Sequence, residues 1–412
     1  MTQIGVRRLY VPLVLATIAC STATEPAPAP TALTSLPRQL SPVEQTLVAG
    51  SNAFAFDLLR QINSSERDSN VFVSPLSASM ALGMTSNGAA GSTYDAFHNT
   101  LRFGDAGRQN VNDGYKSLIT LLTSLDPSTD FRIANSIWYE RTFPVKDAFL
   151  SESKSYFNAD VRPLDFAKSA SVDTINAWVN DATAKKIPKI LDSIDPDEVM
   201  FLINAIYFKG SWQQQFDKAN TQDAPFYPLN GGSQTAPLMH RQGSIRVMRA
   251  PDLTAVDLYY GNSAFAMSIL LPDSASDVNT LSQSLTGDRW KTILDSFEER
   301  PVNLYMPRFR IEWAKLLNND LSAMGLGIAF TQSADFSQMS DEPLQISRVV
   351  QKTFVDVNEE GTEAAAVTAV GIIATSVSLP VTIRFDRPFV FAIRERFSGA
   401  ILFIGKIATM PQ

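Results

Sequence analysis

Reactive side chains are scarce: the 412 residues include one Cys and two His. A single Cys excludes disulfides within the chain and iron–sulfur clusters, and the count leaves too few ligands for a Cys/His four-ligand zinc site. No G-x-S-x-G elbow, H-E-x-x-H pair or G-x-x-x-x-G-K-[ST] loop occurs, and the G-x-G begun by Gly325 and Gly327 meets Phe330 where a third glycine is needed. Nothing in the chain therefore pairs a nucleophile with a base, and neither a metal nor a cofactor is expected. Positive charge is also short: 35 Lys and Arg against 42 Asp and Glu give a net charge of −7. No basic stripe stands out, so no nucleic-acid partner is expected. No repeat period or heptad pattern appears.

What is present is apolar and long. At 45% hydrophobic and 19% charged, the chain is globular and can bury a large core on packing alone. Arg7 and Arg8 precede an apolar run from Leu9 to Ala19, too short to span a bilayer, which reads as a secretory signal over residues 1–19. Thr17, Ile18 and Ala19 followed by the solitary Cys20 resemble the lipobox of bacterial lipoproteins, with Thr17 where Leu is usual. That likeness implies acylation of Cys20. The alternative is ordinary cleavage after a residue such as Ala23, with Cys20 lost. Residues 20–42 are rich in Pro, Ala and Thr and read as a tether. Either way export is expected, to the extracellular space or the cell envelope, with any membrane contact made only through a lipid on Cys20.

Residues 43–412 read as one α+β domain. Phe54, Leu58, Leu59 and Ile62 recur at helical spacing, and Thr174 to Ile187 carries Ile175, Trp178 and Val179 on one side of a helix. Ser74-Pro75 is a helix start, with the hydroxyl capping and the proline needing no donor. Strands are expected at Val71–Val73, Asn135–Trp138, Val199–Phe208, Val302–Met306, Thr353–Val357, Val381–Phe385, Phe389–Ile393 and Ala400–Ile404. His98 and His240 read as structural residues, and Lys185, Lys186 and Lys189 as a solvated helix end.

The unusual stretch is Ala364 to Ile383, twenty residues without a charge. Its Gly371, Pro380 and many Ser and Thr argue against a membrane helix, and its β-branched residues favour an extended form. The alternate positions Thr362, Ala364, Ala366, Thr368, Val370 and Ile372 are small or β-branched, as a strand needs if it is to slide into a sheet.

Five stretches together resemble the serpin family. Asn70-Val71-Phe72-Val73-Ser74-Pro75-Leu76-Ser77 is similar to the strand and helix start of the family's shutter. Asn204 to Trp212 is similar to a central sheet strand, with Asn204 in the shutter and Trp212 at the breach, where the loop first enters. Asn358 to Ala366 resembles the hinge of inhibitory members, and Arg387 to Phe391 and Ile401 to Lys406 resemble the carboxy-terminal strands. The resemblance implies a large, mostly antiparallel sheet A, sheets B and C, eight to nine helices and an exposed reactive-centre loop within 359–380.

It also implies a function. A target serine protease cuts the loop, and the acyl-enzyme is trapped when the loop inserts as a new strand, so the chain itself is no enzyme. Hinge positions would be Glu359, Gly361, Thr362, Ala364, Ala366 and Thr368; shutter and breach positions would be Ser74, Ser77, Asn204, Trp212 and Gln351. Gln351 stands where many members have His. Sixteen residues beyond Glu359 is Thr375, whereas eleven before Pro388 is Val377. The favoured reactive bond is Thr375-Ser376, with Ala374, Val377 and Ser378 as alternatives. These side chains are small and uncharged, so elastase-like or subtilisin-like proteases are the expected targets, and a papain-like cysteine protease is a further candidate partner. The alternative function is a non-inhibitory family member that binds or chaperones. A monomer is expected.

Overall fold

The computed structural model describes residues 1–2, 31–362 and 379–411. Among these, nine α-helices are α1 (Pro42–Ser65), α2 (Pro75–Ser86), α3 (Gly91–Thr100), α4 (Arg108–Ser124), α5 (Asp147–Phe157), α6 (Ser169–Ala182), α7 (Val278–Ser284), α8 (Gly287–Asp295) and α9 (Asn318–Leu321). The first eight strands are β1 (Val71–Val73), β2 (Asp130–Glu140), β3 (Asp160–Leu164), β4 (Met200–Ser211), β5 (Gln222–Phe226), β6 (Gln234–Ala250), β7 (Leu253–Tyr259) and β8 (Phe265–Pro272). Seven more follow: β9 (Glu298–Pro307), β10 (Phe309–Leu316), β11 (Val350–Val357), β12 (Gly361–Thr362), β13 (Val381–Arg384), β14 (Phe389–Glu395) and β15 (Ile401–Ile407).

They form two sheets. One runs β10-β11-β12-β4-β2-β3, antiparallel except for the parallel β2–β3 pair. The other has nine strands in the order β1-β15-β14-β8-β7-β6-β9-β13, with β5 added on β6. The second and third sheets expected from the sequence run together here, because β6 is 17 residues long and belongs to both.

Local chemistry explains the element starts. α1 opens with a capping box: the Ser41 hydroxyl accepts from the Glu44 amide while the Glu44 carboxylate accepts from the Ser41 amide, with Pro42 in the first turn. Burial alone would push the Glu44 carboxyl up. Hydrogen bonds from Arg38, the Ser41 amide and Ser117 prevail and hold it at about 2. Just before this helix Leu33, Leu36 and Leu40 pack on the core, and the Leu33 amide donates to the Asn262 carbonyl at 2.6 Å. α6 ends at Ala182, five residues before the Ile187 end expected from periodicity. Ala184 and Lys185 take φ of 49° and 66°, which reverses the chain. Ile187 and Leu191 thereby reach the same cluster as Ile175, Val179, Phe201 and Ile203, on the outer face of the six-stranded sheet.

Candidate functional site

β4 and β11 are neighbours in the six-stranded sheet that do not pair with each other. Among the described residues, only the two of β12 lie between them: Thr362 is opposite Gly210 on β4 and Val357 on β11, and Gly361 is opposite Ser211. Below this bridge the strands stand apart over a cavity of about 280 Å³, lined by Asn204 and Leu202 on one side, Gln351 on the other and Ala78 and Leu82 of α2 beneath. Among the described residues the two strands thus flank a slot one strand wide in the middle of the sheet.

The top of the slot is densely bonded. The Trp212 ring is 3% exposed and stacks on Tyr260 at 4.4 Å, while its indole N–H donates to the Asn358 carbonyl at 2.9 Å. The Trp212 amide donates to the Glu360 carbonyl and the Phe216 amide to the Glu359 carbonyl. The Tyr260 hydroxyl lies 2.7 Å from the Thr362 hydroxyl. Burial pushes the Tyr260 hydroxyl far up, against the opposing pull of that bond, so it stays neutral. Glu359, 3% exposed, accepts from the Thr221 hydroxyl at 2.7 Å, and Glu360 pairs with Lys218, whose ammonium it raises through a hydrogen bond. Gly361 has φ 156°, and a Cβ there would lie 2.1 Å from the Gly210 carbonyl oxygen. Glycine is required at this point because two backbones pass at contact distance.

Lower down, the two separated strands are joined through the start of α2. Gln351 donates to the Ser74 carbonyl at 2.8 Å and accepts from the Ser74 amide at 3.3 Å. The Ser74 hydroxyl accepts from the Ser77 amide and donates to the Leu402 carbonyl at 2.7 Å. Ser77 donates to the Asn204 side chain, which donates to Asn135 at 2.7 Å, and Asn135 donates to the Phe157 carbonyl at 2.7 Å. Ser74, Ser77, Asn204 and Gln351 are therefore one network. Gln351 reaches Ser74 directly, and Ser77 and Asn204 only through it.

Of the residues singled out in the sequence, Glu359, Gly361, Thr362 and Trp212 meet at the top of the slot and the other four in its lower half. Ala364, Ala366, Thr368, Ala374, Thr375, Ser376, Val377, Ser378 and Cys20 lie outside the described residues. Leu379, the first described residue after the loop, is 88% exposed, and β13 follows at once. His98 donates from Nε2 to the Ala106 carbonyl at 3.1 Å, and His240 stacks on Tyr305. Sequence reasoning missed Tyr260 and Asn135. Tyr260 sits in the turn between β7 and β8, where Gly261 at φ 42° leaves no room for a Cβ beside Asp126, and that glycine was the one local signal.

Residues 49–410 match a protein-family model described as "Serpin (serine protease inhibitor)". Iripin-2 of Ixodes ricinus is 36% identical over 374 residues, 88% of this chain and 94% of that protein. The leukocyte elastase inhibitor of Sus scrofa is 36% identical over 383 residues, 89% of this chain and all (100%) of that protein. Among solved structures, the thermophilic serpin tengpin in its native state superposes with a TM-score of 0.82 at 31% identity, over 92% of this chain and 98% of tengpin. Human thyroxine-binding globulin complexed with thyroxine gives 0.83 at 27% identity, over 90% of this chain and 100% of the globulin.

Proposed function

The chain belongs to the serpin family, and from that premise we propose that it is a suicide-substrate inhibitor of serine proteases with shallow apolar primary pockets, elastase-like or subtilisin-like. Protease inhibition is the activity named by its family and by relatives such as the elastase inhibitor. The observation that carries the finer reading is the slot with its first two rungs already filled.

Continued downward in the same antiparallel register, an inserted loop would bring Ala364 opposite Phe208 and Val355, Ala366 opposite Ile206 and Thr353, and Thr368 opposite Asn204 and Gln351. The partners at these rungs point inward, toward the core or the Ser74 network. Cross-strand partners share a face. The even-numbered loop residues, small or β-branched throughout, would then fill the cavity, and the Thr368 hydroxyl would meet two amide side chains able to pair with it. Glu363 would face outward beside Lys209. Neither charge nor proline interrupts residues 364–379, so nothing in the segment blocks insertion.

We assign the reactive bond to Thr375-Ser376, with Ala374, Val377 and Ser378 as neighbours within reach of a shifted cut. Export, and anchoring by a lipid on Cys20, complete the proposal. Incubation with pancreatic elastase should give a covalent complex that survives denaturing electrophoresis, and mass spectrometry of the released carboxy-terminal fragment should begin at Ser376. A cleaved loop without a complex would instead support the non-inhibitory reading, and cleavage only at Arg384 or beyond would overturn the specificity.

A further inference from the structure

The foot of the slot is closed by an arrangement that the insertion reading does not by itself require. Glu198, at the end of the segment that leaves α6, is buried with its side chain 3% exposed. Its carboxylate accepts from Arg348 at 2.6 Å, from the Ser347 hydroxyl at 2.8 Å and from the Asp195 amide at 2.9 Å. Arg348 also donates to the Ser193 carbonyl at 2.6 Å, and its guanidinium lies 5.4 Å from the centre of the Phe201 ring. Glu198 precedes β4 and Arg348 precedes β11, so this pair ties the two separated strands together across their lower ends, and both residues line the cavity.

The register sets what the pair obstructs. Extended from Thr362 in the same register, an inserted loop would set Val370 opposite Leu202 and Val349, above the pair, Gly371 opposite Phe201 and Arg348, and Ala374 opposite Glu198. A strand ending at 370 fits with the pair closed, whereas one reaching the reactive bond passes through the position of the pair. We propose that Arg348 and Glu198 form a clasp at the foot of the slot that must open before the last rungs of the loop can enter. These are positioning residues, acting on the strand that inserts and not on the protease. The inference rests on the insertion reading above.

A buried pair is tested most cleanly by replacing both partners, because removing one strands the other charge. The double substitution Glu198→Gln with Arg348→Met, the control Arg348→Lys and the unaltered full chain would each be mixed with two synthetic peptides. One spans residues 363–370 and stops above the clasp; the other spans 363–376 and passes through it. Annealing is followed by native electrophoresis and by the rise in thermal transition. The long peptide should anneal to the double variant about tenfold faster than to the unaltered chain, as expected when charge-assisted hydrogen bonds leave the barrier. The short peptide should anneal at one rate to all three, and Arg348→Lys should lie near the unaltered protein. Equal acceleration of both peptides would mean general loosening and overturn the clasp, as would acceleration of neither. If the unaltered chain accepts neither peptide, the insertion reading fails and the clasp falls with it; a covalent elastase complex, scored separately, tells these failures apart.

Discussion

The two sheets are built from similar residues and differ in whether their hydrogen bonds are complete. In the nine-stranded sheet each interior strand is paired on both sides, and every residue of β8, β14 and β15 is buried. In the six-stranded sheet, among the described residues, β4 and β11 each lack a partner along most of one edge; burial alternates along β11, while residues 205–208 of β4 are all buried. Phe72 stacks between Phe391 and Phe403 at 5.5 and 5.2 Å, so the closed sheet is packed up to the boundary with the open one. One sheet has nothing left to gain from a further strand. Under the proposed insertion the other would gain a ladder and fill a cavity, and that difference would make a loop cut a mechanical event.

The sharpest way to break this contrast is to spoil the slot while leaving the closed sheet alone. Thr362→Arg puts a charge at a position 2% exposed and removes the hydroxyl that meets Tyr260. The expected outcome is complete: elastase cleaves the loop, is released, and forms no gel-stable complex, because a buried unpaired charge costs several kcal/mol. The uncleaved protein should unfold within about 2 °C of the parent, since β12 is two residues long and can detach. A stable complex with the variant would show that filling the slot is not what traps the protease.

The closed sheet offers the second test. Lys406 on β15 is fully buried, and its ammonium is held by oxygen atoms of Asn63, Glu66, Arg67 and Asn279, with the two backbone contacts at 3.1 and 2.8 Å. Burial lowers it to about 8 from its ordinary 10.5. Between those values the unfolded chain binds the proton more tightly than the folded one, so stability rises with pH across the window and levels off below it. The gain is at most about 3 kcal/mol. Tyr115 and Tyr260, kept neutral by burial, oppose it above about pH 10, so urea midpoints are best compared at pH 8 and 9.5. Lys406→Met should flatten the rise; an unaltered slope would show that Lys406 is not its source.

Much of this is legible in the sequence, and where legibility stops is physical. Ser74-Pro75 announces a capped helix locally, and the uncharged alternation after Thr362 announces a strand without saying where its partners are. Asn135, Glu198 and Arg348 carry no such signal, and Tyr260 only the glycine that follows it. Each matters through a partner more than sixty residues away in sequence: Asn204 for Asn135, Thr362 for Tyr260, and residues 150 apart for the clasp. The end of α6 was misplaced because Ile187 continues its apolar period, and only the left-handed pair at Ala184 and Lys185 shows that it returns to the same cluster from a reversed chain.

The smallest effect separates the two sheets by pH. The closed sheet carries a titrating lysine, whereas the Ser74–Gln351 network holds no group that changes charge between pH 5.5 and 7.5. With the protease held constant, or with slot-filling peptides in its place, insertion rates should be flat across that range to within about twofold. Gln351→His would set an imidazole at the Ser74 amide and carbonyl. Neutral, it can accept from one and donate to the other, as the amide does; protonated, it has no lone pair left for the Ser74 N–H. The variant should therefore acquire an inflection near its own pKa and match the parent above it. An inflection already present in the parent would mean that a titrating group outside this network governs the opening of β4 from β11.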